Sequence, residues 1–118
     1  MALVKTYREL DIWQKGMDLA AYVYEITKVF PKEEKFGLTS QMRRCAVSIT
    51  SNIAEGTARN SYKDFINFLH YTLGSVAELE TQLLLSHKFG YIKDDHHSQL
   101  EEIRRKTLNY IKYLKTKL

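Results

Sequence analysis

Four stretches of this chain repeat apolar residues at steps of three and four, and short polar connections separate them. That spacing is the signature of amphipathic helices. The organising stretch runs from Leu38 to Tyr91 and reads as two long helices joined by a polar elbow at Arg59, Asn60 and Ser61. Before it, Ile12, Gly16, Leu19, Val23, Ile26 and Phe30 fall on one helical stripe, with Trp13, Met17, Ala20 and Tyr24 on a second stripe beside it. Asp11 is the expected N-cap. Pro31 is the expected stop, because proline cannot continue a helix and pushes its predecessor out of the α region. The second helix is predicted from Leu38 to about Ala58, with Thr39 or Ser40 near its cap. Its core stripe is Leu38, Met42, Cys45, Ala46, Ile49 and Ile53. Gly56 lowers helix propensity by about 1 kcal/mol relative to alanine, so a bend or fraying is expected there.

Ser61 is predicted to cap the third helix, with Asp64 three residues on in a box-like arrangement. Tyr62, Phe65, Ile66, Leu69, Leu73, Val76, Leu83 and Leu84 make a wide stripe, and Phe68, Tyr71, Leu79 and Leu85 fall outside it. Gly90 is placed to end this helix as a left-handed residue. Asp94 or Asp95 would cap a fourth helix, in which Leu100, Ile103, Thr107, Ile111, Leu114 and Leu118 recur at helical spacing. Four such helices with three short connections predict an all-α chain, folded as an antiparallel up-down four-helix bundle. Residues 1–118 read as a single domain without repeats. The first and third helices are apolar over more of their circumference than one small bundle can cover, which points to homo-oligomerisation.

Composition changes this picture little. At 118 residues, with 27% charged and 44% hydrophobic positions, the chain is large enough for a hydrophobic core. The net charge of +4 permits an acidic partner such as nucleic acid without demanding one. A single cysteine, Cys45, excludes an internal disulfide and a cysteine-based metal site. The N-terminus lacks the apolar stretch of a signal peptide, and no apolar run approaches the ~18–20 residues of a membrane span. No membrane association and a cytoplasmic location are the expectation.

The candidate chemistry is sparse. Glu80 projects near the centre of the third helix's apolar stripe, where a carboxylate must be paired, hydrogen-bonded or protonated. An arginine such as Arg43 or Arg44 is the expected partner. His87 falls on the same stripe and reads as a core histidine. Neither His70 nor His87 has a glutamate three residues before it, as helical di-iron sites require. The five glycines are too dispersed for a phosphate loop, and no nucleophile–base pattern appears, so neither an enzyme nor a metal or other cofactor is expected. The fourth helix is more informative. After Glu102 it carries Arg104, Arg105, Lys106, Lys112, Lys115 and Lys117 and no acid. Basic residues late in a helix complement its dipole, which is the bland account. The sharper one is a phosphate-binding face of Arg104, Arg105, Lys112 and Lys115, helped by Tyr110 and Tyr113 stacking on bases. On the second helix, Arg44, Ser48, Ser51 and Glu55 share a polar face, and Glu55 and Arg59 are spaced as an ion pair. That face is either solvated or a subunit contact in which Arg44 meets Glu55 or Glu80 of a neighbour.

The segments SQMRRCAVSITSNIAEGTAR, DFINFLHYTLGSVAELETQLLL and HKFGYI, with the lead-in YRELDIWQKGMDLAAYVYEIT, closely resemble the 23S ribosomal RNA intervening-sequence proteins of bacteria. The resemblance covers roughly residues 7 to 115. Its most specific block runs from Ser51 through Asn52, Ile53, Ala54 and Glu55 to Gly56, followed by Ala77, Glu78, Leu79 and Glu80. Where members often carry proline, this chain has Thr50, so its second helix should be more regular. The resemblance implies a four-helix bundle that assembles as a homopentamer. It also implies kinship with accessory proteins of diversity-generating retroelements, which look like basic pentameric rings that bind nucleic acid and a reverse transcriptase. A function follows as an expectation: a non-enzymatic oligomer that binds RNA or DNA with low sequence specificity, or else a scaffold that docks a partner enzyme.

Overall fold

The computed structural model describes residues 4–94 and 97–118. A short 3₁₀ turn at Tyr7–Glu9 leads into α1 (Asp11–Thr27), and a second at Lys32–Glu34 precedes α2 (Leu38–Thr57). The two longer-range partners follow as α3 (Tyr62–Lys88) and α4 (His97–Lys115). Each helix packs on its chain neighbours and α4 closes against α1, while the diagonal pairs do not touch among the described residues. This is the antiparallel up-down four-helix bundle that the periodicity predicts. Its long axis is 47 Å and its cross-section 21 × 19 Å.

The core is one continuous cluster along the axis, from Phe30, Met42 and Leu83 to Ile12, Phe65 and Ile111. The predicted stripes of α1 and α2 are its walls. The stripe of α3 needs two corrections: Leu79 is fully buried, and Leu84 is 45% exposed. α3 packs against two helices, so its buried arc is broad. Leu79 lies on the α2 side of that arc, together with Thr72, whose hydroxyl donates to the Ile49 carbonyl at 3.1 Å. Leu118, assigned to the α4 stripe, lies beyond that helix and is exposed.

Close approaches set the helix spacing. A Cβ on Gly16 would stand 3.1 Å from the Thr50 Cβ. The Thr50 hydroxyl donates to the Trp13 carbonyl at 3.2 Å, so this residue ties α2 to α1 within an unbroken helix. Gly56 is buried, and a Cβ there would meet Phe65 Cδ1 at 2.8 Å and Phe68 Cβ at 2.9 Å. It is a packing glycine, and α2 runs through it to Thr57 without the expected fraying.

The helix ends divide between expected and unexpected devices. Ser61 Oγ accepts from the Asp64 amide at 3.1 Å, as its position predicts. Ser61→Ala should therefore cost ~1 kcal/mol in urea unfolding; a loss below a few tenths would show that the cap contributes nothing. At the other end of α3, Gly90 adopts φ +79°. The Tyr91 amide donates to Ser86 and the Gly90 amide to His87, the paired bonds of a Schellman motif. Asp11 proves to be the first residue of α1, with Leu10 as N-cap. α2 is capped by Gly37, not by Thr39 or Ser40, and the Glu34 carboxylate accepts from the Leu38 amide at 3.1 Å. α1 ends at Thr27, ahead of Pro31, where Arg43 donates to the Thr27 hydroxyl at 2.8 Å and the Tyr24 carbonyl at 3.3 Å. Asp94 precedes α4 by two residues, and the other expected cap, Asp95, lies outside the described residues.

Candidate functional site

At roughly 100° per residue, Arg105 and Lys112 lie within about 20° of each other on α4, with Lys115 and Leu108 next to them. Arg105, Lys112 and Lys115 are exposed, and no acid pairs with them among the described residues. Arg104 differs from these three. It is largely covered and lies 3.1 Å from Glu80, with a second contact to Glu101. Glu80 thus pairs across the α3–α4 seam within one chain, not with Arg43 or Arg44. Sequence spacing missed this because Arg104 looks like one more member of a basic run. The signal that could have found it is that Arg104 and Glu80 both border the apolar stripes of adjacent helices.

Tyr113 is exposed but faces the other side of α4, about 80–100° around from Arg105 and Lys112. Its ring stacks on Tyr110 with centroids 6.0 Å apart and planes 10° from parallel. Lys117 stands 5.1 Å from the Tyr113 centroid. Tyr110 is braced edge-on by Phe65, and burial raises its phenol above the usual tyrosine range, so it stays protonated near neutrality. These tyrosines border a pocket of about 410 Å³ that is closed on its other side by Glu9, Leu10, Asp11 and Ile12. Two ion pairs cross the same α1–α4 seam, Lys106–Asp11 at 2.5 Å and Lys15–Glu102 at 3.0 Å. Hydrogen bonding from Lys106 and from Lys15 holds the Asp11 and Glu102 carboxyls, respectively, below their ordinary values.

The polar face of α2 is only partly as expected. Arg44 and Glu55 are exposed. Ser48 instead turns to α3, where it donates to Ser75 Oγ at 2.7 Å. Glu55 makes no ion pair with Arg59, whose guanidinium lies 4.4 Å from the Phe68 centroid. His87, read as a core residue, is exposed because it sits in the last turn of α3, beyond most of the packing. Cys45 is buried, and burial pushes its thiol up to about 12. Among the described residues no three His, Cys, Asp or Glu are grouped to hold a metal ion, and no helix is long and apolar enough to cross a membrane.

A separate groove of about 520 Å³ follows the α1–α2 edge. Trp13, Met17, Ala20, Tyr24, Val47 and Ala54 line it, and Met17, Tyr24 and Val47 are each more than 40% exposed. The second apolar stripe of α1 is therefore present and uncovered by the chain's own bundle. Tyr71, Leu84, Leu85 and Phe89 leave α3 apolar on its outer side as well.

The sequence pattern of the 23S rRNA-intervening sequence proteins matches residues 8–113. The chain belongs to the 23S rRNA-intervening sequence protein family. A crystal structure of a protein of unknown function from the S23 ribosomal protein family of Bacteroides thetaiotaomicron is similar to it, with 27% identity. The likeness covers 87% of this chain and 94% of that one at a TM-score of 0.61. No curated protein matches the chain. The family match takes in all four helices, the α1–α2 groove and Arg105 and Lys112, and it stops just before Lys115. As a member of the intervening-sequence protein family, this chain is distinguished by Thr50, whose bond to α1 joins two helices at their closest approach.

Proposed function

We propose that this chain is a non-enzymatic, cytoplasmic homo-oligomer, pentameric as the family resemblance implies, that binds RNA or DNA through repeated basic faces with low sequence specificity. The observation that carries this reading is the face of Arg105, Lys112 and Lys115, exposed on one side of α4 with no acidic partner. Each cation there is available to displace a counterion from a phosphate, which is the main source of sequence-independent affinity. Several copies of a weak face in one assembly bind far more tightly than one. The uncovered apolar groove between α1 and α2 supports self-association, since contiguous apolar surface of this kind marks interaction sites.

Light scattering after size-exclusion chromatography tests the proposal. The expected result is a species of about 70 kDa, five times the chain's 13.9 kDa, that shifts with a structured RNA at low salt and returns to its own mass at moderate salt. A monomer at all concentrations would overturn the oligomer. An oligomer that ignores RNA at both salts would leave the second reading, a scaffold whose α1–α2 groove docks a partner enzyme such as a reverse transcriptase. That reading predicts capture of the same enzyme after nuclease treatment.

A further inference from the structure

We propose that the pocket between the start of α1 and the end of α4 holds one unpaired guanine base. This deepens the nucleic-acid reading above and rests on it. The pocket's volume, about 410 Å³, lies within the ~300–1,000 Å³ of small-molecule sites. One wall is a stacking platform. Tyr110 is fixed from behind by Phe65, Tyr113 lies nearly parallel to Tyr110, and more than half of Tyr113 is exposed. The outer face of the Tyr113 ring is covered only by the Lys117 ammonium at the end of a flexible stem. A base that takes this place exchanges a weak cation–ring contact for a stacked one and frees a cation for phosphate.

The opposite wall selects which base. Two carboxylates border the pocket, and they differ. Asp11 is engaged by Lys106 at 2.5 Å and by Lys15 at 3.9 Å. Glu9 is exposed, and no ion pair or side-chain hydrogen bond engages its carboxylate among the described residues. A free carboxylate only accepts hydrogen bonds, and it takes two parallel donors well. Guanine presents adjacent N1–H and N2–H donors on its Watson–Crick edge. Adenine presents an acceptor at N1, cytosine an acceptor at N3, and uracil one donor between two acceptors. The Asn109 side chain borders the same pocket and supplies an amide N–H for the guanine O6. An unpaired carboxylate repels phosphate, so this pocket reads a base edge, while phosphates fall to the Arg105 and Lys112 side of α4. Stacking on an aromatic with hydrogen bonds to the Watson–Crick edge is how single-stranded RNA bases are recognised. A free guanine nucleotide offers the same chemistry.

The test uses the full-length protein and fluorescence anisotropy of labelled pentaadenylate with adenine, inosine or guanine at its centre. Guanine should bind about tenfold more tightly than adenine, with inosine between them because it lacks the N2 donor. Glu9→Gln should reduce that preference to within about twofold. Tyr113→Ala should weaken the guanine strand about tenfold, the loss of one base–aromatic stack. Guanosine monophosphate alone, followed by shifts of the Asn109 side-chain amide in NMR, separates the sources. A response matching that of the strand supports the pocket with a free nucleotide as ligand. A response far weaker than the strand's supports a strand ligand. Equal binding of all three strands, unaffected by Glu9→Gln and Tyr113→Ala but lost on reversing Arg105 and Lys112, would overturn the pocket and leave the nucleic-acid reading standing. No binding of any strand or of structured RNA, with no response to the mononucleotide, would overturn both.

Discussion

Phe65→Ala should destabilise the bundle by ~3–5 kcal/mol, the range for deleting a buried aromatic side chain. Phe65 has no exposed surface. Its ring lies against Gly56 of α2 on one side and edge-on to Tyr110 of α4 on another, so one side chain joins three helices. Domains of this size are stable by only ~5–15 kcal/mol, so the variant should lose a large share of its resistance to urea. Chemical unfolding followed by circular dichroism measures this directly. A loss under 1 kcal/mol would mean that the ring is not held between α2 and α4. The neighbouring glycine gives a second reading of the same contact. Gly56→Ala gains about 1 kcal/mol of helix propensity but places a methyl 2.8 Å from a ring that has no room to move. Overpacking of this kind costs ~1–3 kcal/mol, so the balance should fall on the destabilising side. In the Phe65→Ala background that cost should shrink, because the tightest contact is gone. A double-mutant cycle would report the difference as a coupling between touching residues.

Gly56 also shows where sequence reasoning reaches its limit. Spacing placed the four helices, the Ser61 cap and the Gly90 turn, because each depends on residues within a few positions along the chain. Gly56 read as a weak point for the same reason: its local effect is a loss of propensity, and its real role depends on Phe65 and Phe68 across an interface. Leu79 was assigned to the wrong side because a single stripe describes a helix with one neighbour, and α3 has two. The pairing of Glu80 with Arg104 joins positions on different helices, and nothing in the periodicity of either helix says which arginine comes near. The pocket was invisible for that reason too. Glu9 and Asn109 are far apart in the chain and are brought together only by α4 closing on α1. What the pattern did register was the surplus of apolar surface on α1 and α3, now located at Met17, Tyr24, Tyr71 and Leu85.

Reversing Arg105 and Lys112 together to glutamate should abolish most nucleic-acid binding at low salt and leave folding unchanged. Both side chains are exposed and neither pairs with an acid, so no buried charge is orphaned by the change. The formal net charge would fall from +4 to zero, two units at each site, and that change would recur in every subunit of an oligomer. For a single strand each lost phosphate contact lowers the dependence of log affinity on log salt by ~0.7, so the slope per bound chain should fall by ~1.4. Affinity itself should drop by at least tenfold, and more in an assembly, where the losses multiply across subunits. Arg104 is the contrasting control. Reversing it would leave Glu80 facing a like charge at the α3–α4 seam, so weakened binding in that variant would be inseparable from weakened packing. Electrophoretic mobility shifts across a salt series, with circular dichroism confirming the fold, would decide the matter. Undiminished binding and an unchanged salt slope in the Arg105 and Lys112 variant would exclude this face of α4 as the phosphate contact. Loss of binding with an intact fold and an unchanged oligomer would locate the contact on that face, because nothing else about the molecule would have altered.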